Sequence, residues 1–144
     1  MHWSSFWTAC NIEYMSLLKA YLGTTISFLI VDAIWISFFV QSYYQQAVGH
    51  LLLDSPNFVA AGLFYLAYAA GVVILAVQPA LASRSLKTAV VNGAVLGAIA
   101  YGTFTLTNFS VLKGWTTGLV FSDIAWGTFL TALCAVVGYL SARS

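Results

Sequence analysis

Four long apolar stretches, separated by short connections, dominate this chain. Each is close to the ~20 mostly apolar residues that an α-helix needs to cross ~30 Å of hydrocarbon. The windows lie at about 20–40, 56–77, 88–111 and 118–140. They use most of the chain, so the pattern predicts an all-α integral membrane four-helix bundle in one transmembrane domain, 1–144.

The connections add detail. Residues 41–55, QSYYQQAVGHLLLDS, place Tyr44, Val48, Leu51 and Leu52 at helical spacing. That fits a short interfacial helix between helices 1 and 2, or equally a loop packed over the helix ends. Ser55-Pro56 reads as N-cap and first helical position of the second span. Residues 78–87, with Pro79, Arg84 and Lys87, read as a loop. Lys113-Gly-Trp115 reads as a tight turn with Trp115 at the headgroup level. In the third span Gly93, Gly97 and Gly102 offer small-residue helix packing, inside the bundle or against a second copy. Met15 followed by SLLKAY resembles a natural start, which would make residues 1–14 an N-terminal extension.

Composition agrees with the bilayer as solvent: 61% of the 144 residues are apolar and only 6% charged, against about 25% charged in soluble domains. Net charge is +1 with no basic run, which excludes nucleic acid as an expected partner. Cys10 and Cys134 have no metal-ligand spacing, and their different settings speak against a disulfide. The first apolar stretch is too long for a signal-peptide core, and no A-x-A-like site follows it. Among the lysines and arginines near the spans, Lys19, Arg84, Lys87 and Arg143 fall on one side and Lys113 on the other. Both termini are therefore expected in the cytoplasm.

Against this background the polar residues inside the spans need an explanation, because an ionised group at the membrane centre costs at least ~2.5–3.5 kcal/mol. Counting ~1.5 Å per residue, Asp32 and Asp123 fall about 12 Å and 8 Å below the same outer interface. Tyr101, Thr105 and Asn108 share one face of the third helix in that half, and Tyr65 reaches it from the second, with Tyr68 somewhat deeper. The other half is nearly all aliphatic, apart from Asn92, Thr131 and Cys134. Helices one and four also share D-x-x-W-x-[ST]-F, at Asp32/Trp35 and Asp123/Trp126, with the two Trp expected on opposite sides of the Asp layer. Asp32, Trp35, Tyr65, Tyr101, Thr105, Asn108, Asp123 and Trp126 thus form a candidate ligand pocket facing the periplasm. A structural role for the carboxylates, fixing helix register, is the alternative. His50 is a weak candidate, and the Asn108-Phe-Ser110 sequon is discarded because it lies in a helix end.

LKAY, the Asp32-x-x-Trp35 helix, GHLL before Pro-Asn, FYLAYAAGVV, AVQPAL, AYGTFTLTN, LKGW and SDIAWGT occur in this order. Together they resemble the bacterial membrane proteins classed as domain of unknown function 2177, over about residues 15–140. The resemblance implies a location in the bacterial inner membrane and leaves the activity open. The family pattern reads TYDLTN where this chain has TFTLTN, so Thr105 stands in place of an aspartate and any mechanism needing three carboxylates is weakened.

Three functions compete. The first is an accessory or ligand-binding subunit, surrounded by membrane lipids and docking on a larger membrane complex or on a second copy. The second is an enzyme acting on a lipid or quinone-like molecule, with Asp32 and Asp123 as acid and base. The third is a small dimeric transporter, against which the aliphatic half argues. No catalytic motif, cofactor motif or metal-ligand set is identifiable.

Overall fold

A computed structural model of the chain describes the backbone of residues 3–144 and the side chains of residues 13–38 and 42–144. The described residues are almost all helical and include no strand, and four helices are long and apolar enough to span a membrane: Glu13–Phe38, Phe58–Ser83, Leu86–Val111 and Thr117–Arg143. The protein is a four-helix membrane bundle.

Helix α1 (Trp3–Trp35) takes in residues 3–14 of the stretch read from sequence as an extension. It does not stop at residue 40. A π-helical segment, Ile36–Val40, leads directly into α2 (Gln41–Val48), and a 3₁₀ turn, Gly49–Leu51, follows. Of the apolar residues expected along this connection, Val48 is buried and Tyr44 half-buried, whereas Leu51 and Leu52 are exposed. The connection therefore packs by its first half only, against Trp115, Leu119 and Val120.

The second span is α3 (Phe58–Val72), a π-helical segment Val73–Val77, and α4 (Gln78–Ser83). Its N-cap is Asn57, whose side chain accepts from the Ala60 N–H, so the helix begins two residues later than the Ser55-Pro56 reading had it. The expected loop at 78–87 is mostly helix. Pro79 has no N–H to give the Leu75 carbonyl four residues back. The chain answers with the π turn, in which the Gln78 N–H reaches Val73 O. Asn92 of the next helix donates its side-chain N–H to Leu75 O at 3.2 Å. In lipid a freed carbonyl needs such a partner, which is why a helix can carry proline here. The helix ends at Arg84, left-handed at φ 51°, and Ser85 caps α5 by accepting from the Thr88 N–H.

Helices α5 (Leu86–Val111) and α6 (Thr117–Arg143) form the closest pair. Gly93 faces the Ala132 backbone, and Gly97 lies against the Gly127 carbonyl, so a Cβ at either would collide with backbone. Gly102 is different, with nothing nearer than Ile124 at 3.9 Å, and has no part in the close approach. On the other side of α6, Gly23 sits against Ser141 and Gly138 against Thr24. Ser16 Oγ also donates to Ala142 O at 3.0 Å, which places the start of the first span and the end of the last, here called the chain ends, at one end of the bundle. That half is sealed by a cluster of small residues, including Ala20, Val72, Ala76, Ala89 and Ala135, around Tyr139.

Candidate functional site

The half of the bundle away from the chain ends is built differently. In the half of the chain ends α5 packs on the Val73–Val77 segment and on α4, but it scarcely touches α3 beyond them. The two helices part and leave a cavity of about 680 Å³ between them, within the ~300–1,000 Å³ usual for ligand pockets. Phe64 of α3 and Phe104 of α5, both about half exposed, flank its lipid-facing side. Its floor and back wall come from α1, α2 and α6.

Two carboxylates sit in that wall. Asp32 is 6% and Asp123 7% exposed, so both are more than nine-tenths buried. Asp32 accepts from the Tyr65 hydroxyl at 2.8 Å and from Trp126 Nε1 at 3.1 Å. An indole N–H can only donate, so this oxygen is held as an acceptor. Asp123 accepts from Tyr44, whose hydroxyl lies 2.9 Å from each carboxylate oxygen. Burial and the neighbouring Asp123 push the Tyr44 hydroxyl far above its ordinary pKa and keep it a donor. Each carboxylate thus ties together separate elements, Asp32 joining α1 to α3 and α6, and Asp123 joining α6 to α2.

The Trp residues of the shared motif meet. Trp35 and Trp126 stack at 4.2 Å between centroids, 9° from parallel, instead of lying on opposite sides of the Asp layer. Antiparallel helices explain it: Trp35 lies one turn further from the chain ends than Asp32 on α1, and Trp126 one turn nearer to them than Asp123 on α6, so the two indoles meet between the carboxylates. Asp32 consequently faces Trp126 and lies nearer the chain ends than Asp123.

The remaining sequence candidates separate. Tyr101 lines the cavity with its ring laid over Gly127, where no side chain would fit. Thr105 is fully buried behind the wall; it accepts from Trp115 Nε1 at 3.0 Å and neighbours Asp123. Trp115 is therefore buried in the bundle, not an anchor at the headgroups. Asn108, one turn further along α5, does not reach the cavity. His50 and Lys113 are exposed on the connections and also stand apart from it. Tyr68 lines the cavity and bonds Thr131 at 2.9 Å. Tyr44 had not been singled out as a site residue, because only the fold-back of α2 brings it to Asp123. Among the described residues no cluster of three His, Cys, Asp or Glu could hold a metal.

The fold and the cavity together define a polytopic membrane protein with a largely aromatic pocket, carrying two buried carboxylates, sunk in one half of its bundle. Residues 17–140 match the family model described as predicted membrane protein (DUF2177), and the chain belongs to that family. Neither the curated proteins nor the solved structures compared with it gave a match.

Proposed function

We propose that this protein is an accessory subunit of the bacterial cytoplasmic membrane that holds an amphiphile in its cavity. The observation that supports this most is the cavity's position between α3 and α5, with aromatic residues at its lipid-facing side and buried carboxylates at its back. A chain-bearing molecule could enter sideways from the bilayer, leaving its polar end against Asp32 and Asp123. The small-residue cluster beneath the cavity favours a closed pocket over a path across the membrane. The bias of Lys19, Arg84, Lys87 and Arg143 against Lys113 favours cytoplasmic termini and a cavity in the outer half.

Native mass spectrometry of the protein in mild detergent, with lipid extraction of the same sample, tests the reading. A stoichiometric amphiphile is expected, absent when Ala61→Phe and Ala100→Phe together fill the cavity. A wild-type protein that emerges free of small molecules would overturn it.

A second reading, an enzyme with Asp32 and Asp123 as acid and base, draws on both carboxylates lining one cavity. It requires a lipid product that disappears from cells carrying Asp32→Asn or Asp123→Asn.

A further inference from the structure

The cavity has an unusual balance of charge. Two buried carboxylates line it, and among the described residues no Lys, Arg or His does. Their hydrogen-bond donors include Tyr65, Trp126, Tyr44 and Thr105, all of them neutral groups. These donors are also spent. A phosphate, sulfate or carboxylate head group would meet two carboxyl groups and, among the described lining residues, no Lys, Arg or His to receive it.

The walls are aromatic as well. Besides the stacked Trp35 and Trp126, the rings of Tyr65, Tyr101 and Phe104 border the space. Ring faces carry the negative part of the π quadrupole, and an organic cation is held at such faces when it is desolvated. Acid and aromatic surfaces converge on one ligand chemistry. Carboxylate oxygens have lone pairs left after the bonds from Tyr and Trp, and these can accept ammonium N–H groups or lie against N-methyls.

We propose that the cavity binds an organic ammonium group, and that this group is the head of the amphiphile assigned to the pocket above. The second half rests on that assignment, since the opening between α3 and α5 leaves room for an attached chain. A free small cation would share the head chemistry without using the opening.

The test uses the full-length protein in uncharged maltoside micelles, with empty micelles as baseline and tryptophan fluorescence as readout. Three probes are titrated: dodecyltrimethylammonium, the uncharged 1-dodecanol, and tetramethylammonium, which lacks the chain. The long-chain ammonium is expected to bind at least tenfold more tightly than either of the others. Asp32→Asn with Asp123→Asn should remove that preference, bringing the affinity of the long-chain ammonium down to that of dodecanol for the same variant. If this double variant does not fold, Phe104→Leu keeps both carboxylates and removes a ring face. It should weaken the ammonium probe by about three- to thirtyfold and the alcohol much less. Equal binding of dodecanol and the long-chain ammonium would overturn the ammonium assignment and leave the amphiphile reading standing. Tetramethylammonium binding as tightly as its long-chain analogue would support the ammonium site and overturn the attached chain. Binding of none of the three would overturn both.

Discussion

The indole N–H of Trp126 reaches across the α1–α6 interface to Asp32 while its ring lies flat on Trp35. One side chain therefore satisfies a carboxylate on the facing helix and packs against the tryptophan one turn away from it. Trp126→Phe keeps a ring for stacking and deletes the donor. It is expected to lower stability by about 1–3 kcal/mol, the cost of leaving a buried polar group short of a partner. In a double-mutant cycle with Asp32→Asn, read by unfolding in mixed micelles, the two changes should couple by at least about 0.5 kcal/mol.

The glycines of the bundle should sort by what a methyl group would meet. Gly97→Ala drives a Cβ into the Gly127 carbonyl, and Gly127→Ala drives one into the Tyr101 ring. Each should cost about 1–3 kcal/mol, as overpacking does. Gly102→Ala and Gly62→Ala meet ordinary contact or open space and should be neutral or gain up to about 1 kcal/mol from helix propensity. Melting temperatures of the four single variants decide the matter, and a uniform response would contradict the seam described here.

Asn92 and Pro79 should behave as a pair. Asn92→Leu strips the Leu75 carbonyl of its donor and is expected to destabilise by about 1–3 kcal/mol. With Pro79→Ala in the background, residue 79 regains an N–H that can serve the same carbonyl, and the cost of Asn92→Leu should shrink. Equal cost in both backgrounds would refute the relationship.

Gly114, at φ 89°, places its backbone against the Ala47 carbonyl, where a Cβ would come within 2.6 Å. Gly114→Ala is strained in conformation and in space, so α2 should lift from the bundle. Amide exchange over residues 41–51 is expected to rise, with that of α5 unchanged. Tyr44→Phe should not raise it to the same degree, because it removes one hydroxyl and leaves the packing of Val48 intact.

How much of this could be read from the residues alone follows from the range of the forces. Apolar runs long enough to cross a bilayer announce themselves, and depth counted along straight helices brought Asp32 and Asp123 into the same half of the bundle. Interactions that depend on a local departure from the regular helix did not show. Pro79 read as the mark of a loop because its remedy, Asn92, lies on another helix. Asn57, not Ser55, caps α3, and the two are too close in type and position for sequence to separate. Tyr44 acquires its role only because α1 continues through a π turn into α2. Asn108 shares a helical face with Tyr101, but the cavity ends before that face does.

The π turn at Val73–Val77 also has a consequence for how the chain tolerates change. Such a turn amounts to one residue inserted into a regular helix, and one residue is about 100° of rotation. Tyr65 and Tyr68 lie before the turn, while Ala80 and the capping Arg84 lie after it. Deleting a single residue between 73 and 77 would let the helix become regular and swing both tyrosines around the axis, away from Asp32 and Thr131. In that stretch the number of residues matters more than their identity: a conservative replacement is absorbed, and a one-codon deletion dismantles one wall of the cavity while leaving a span that still crosses the membrane.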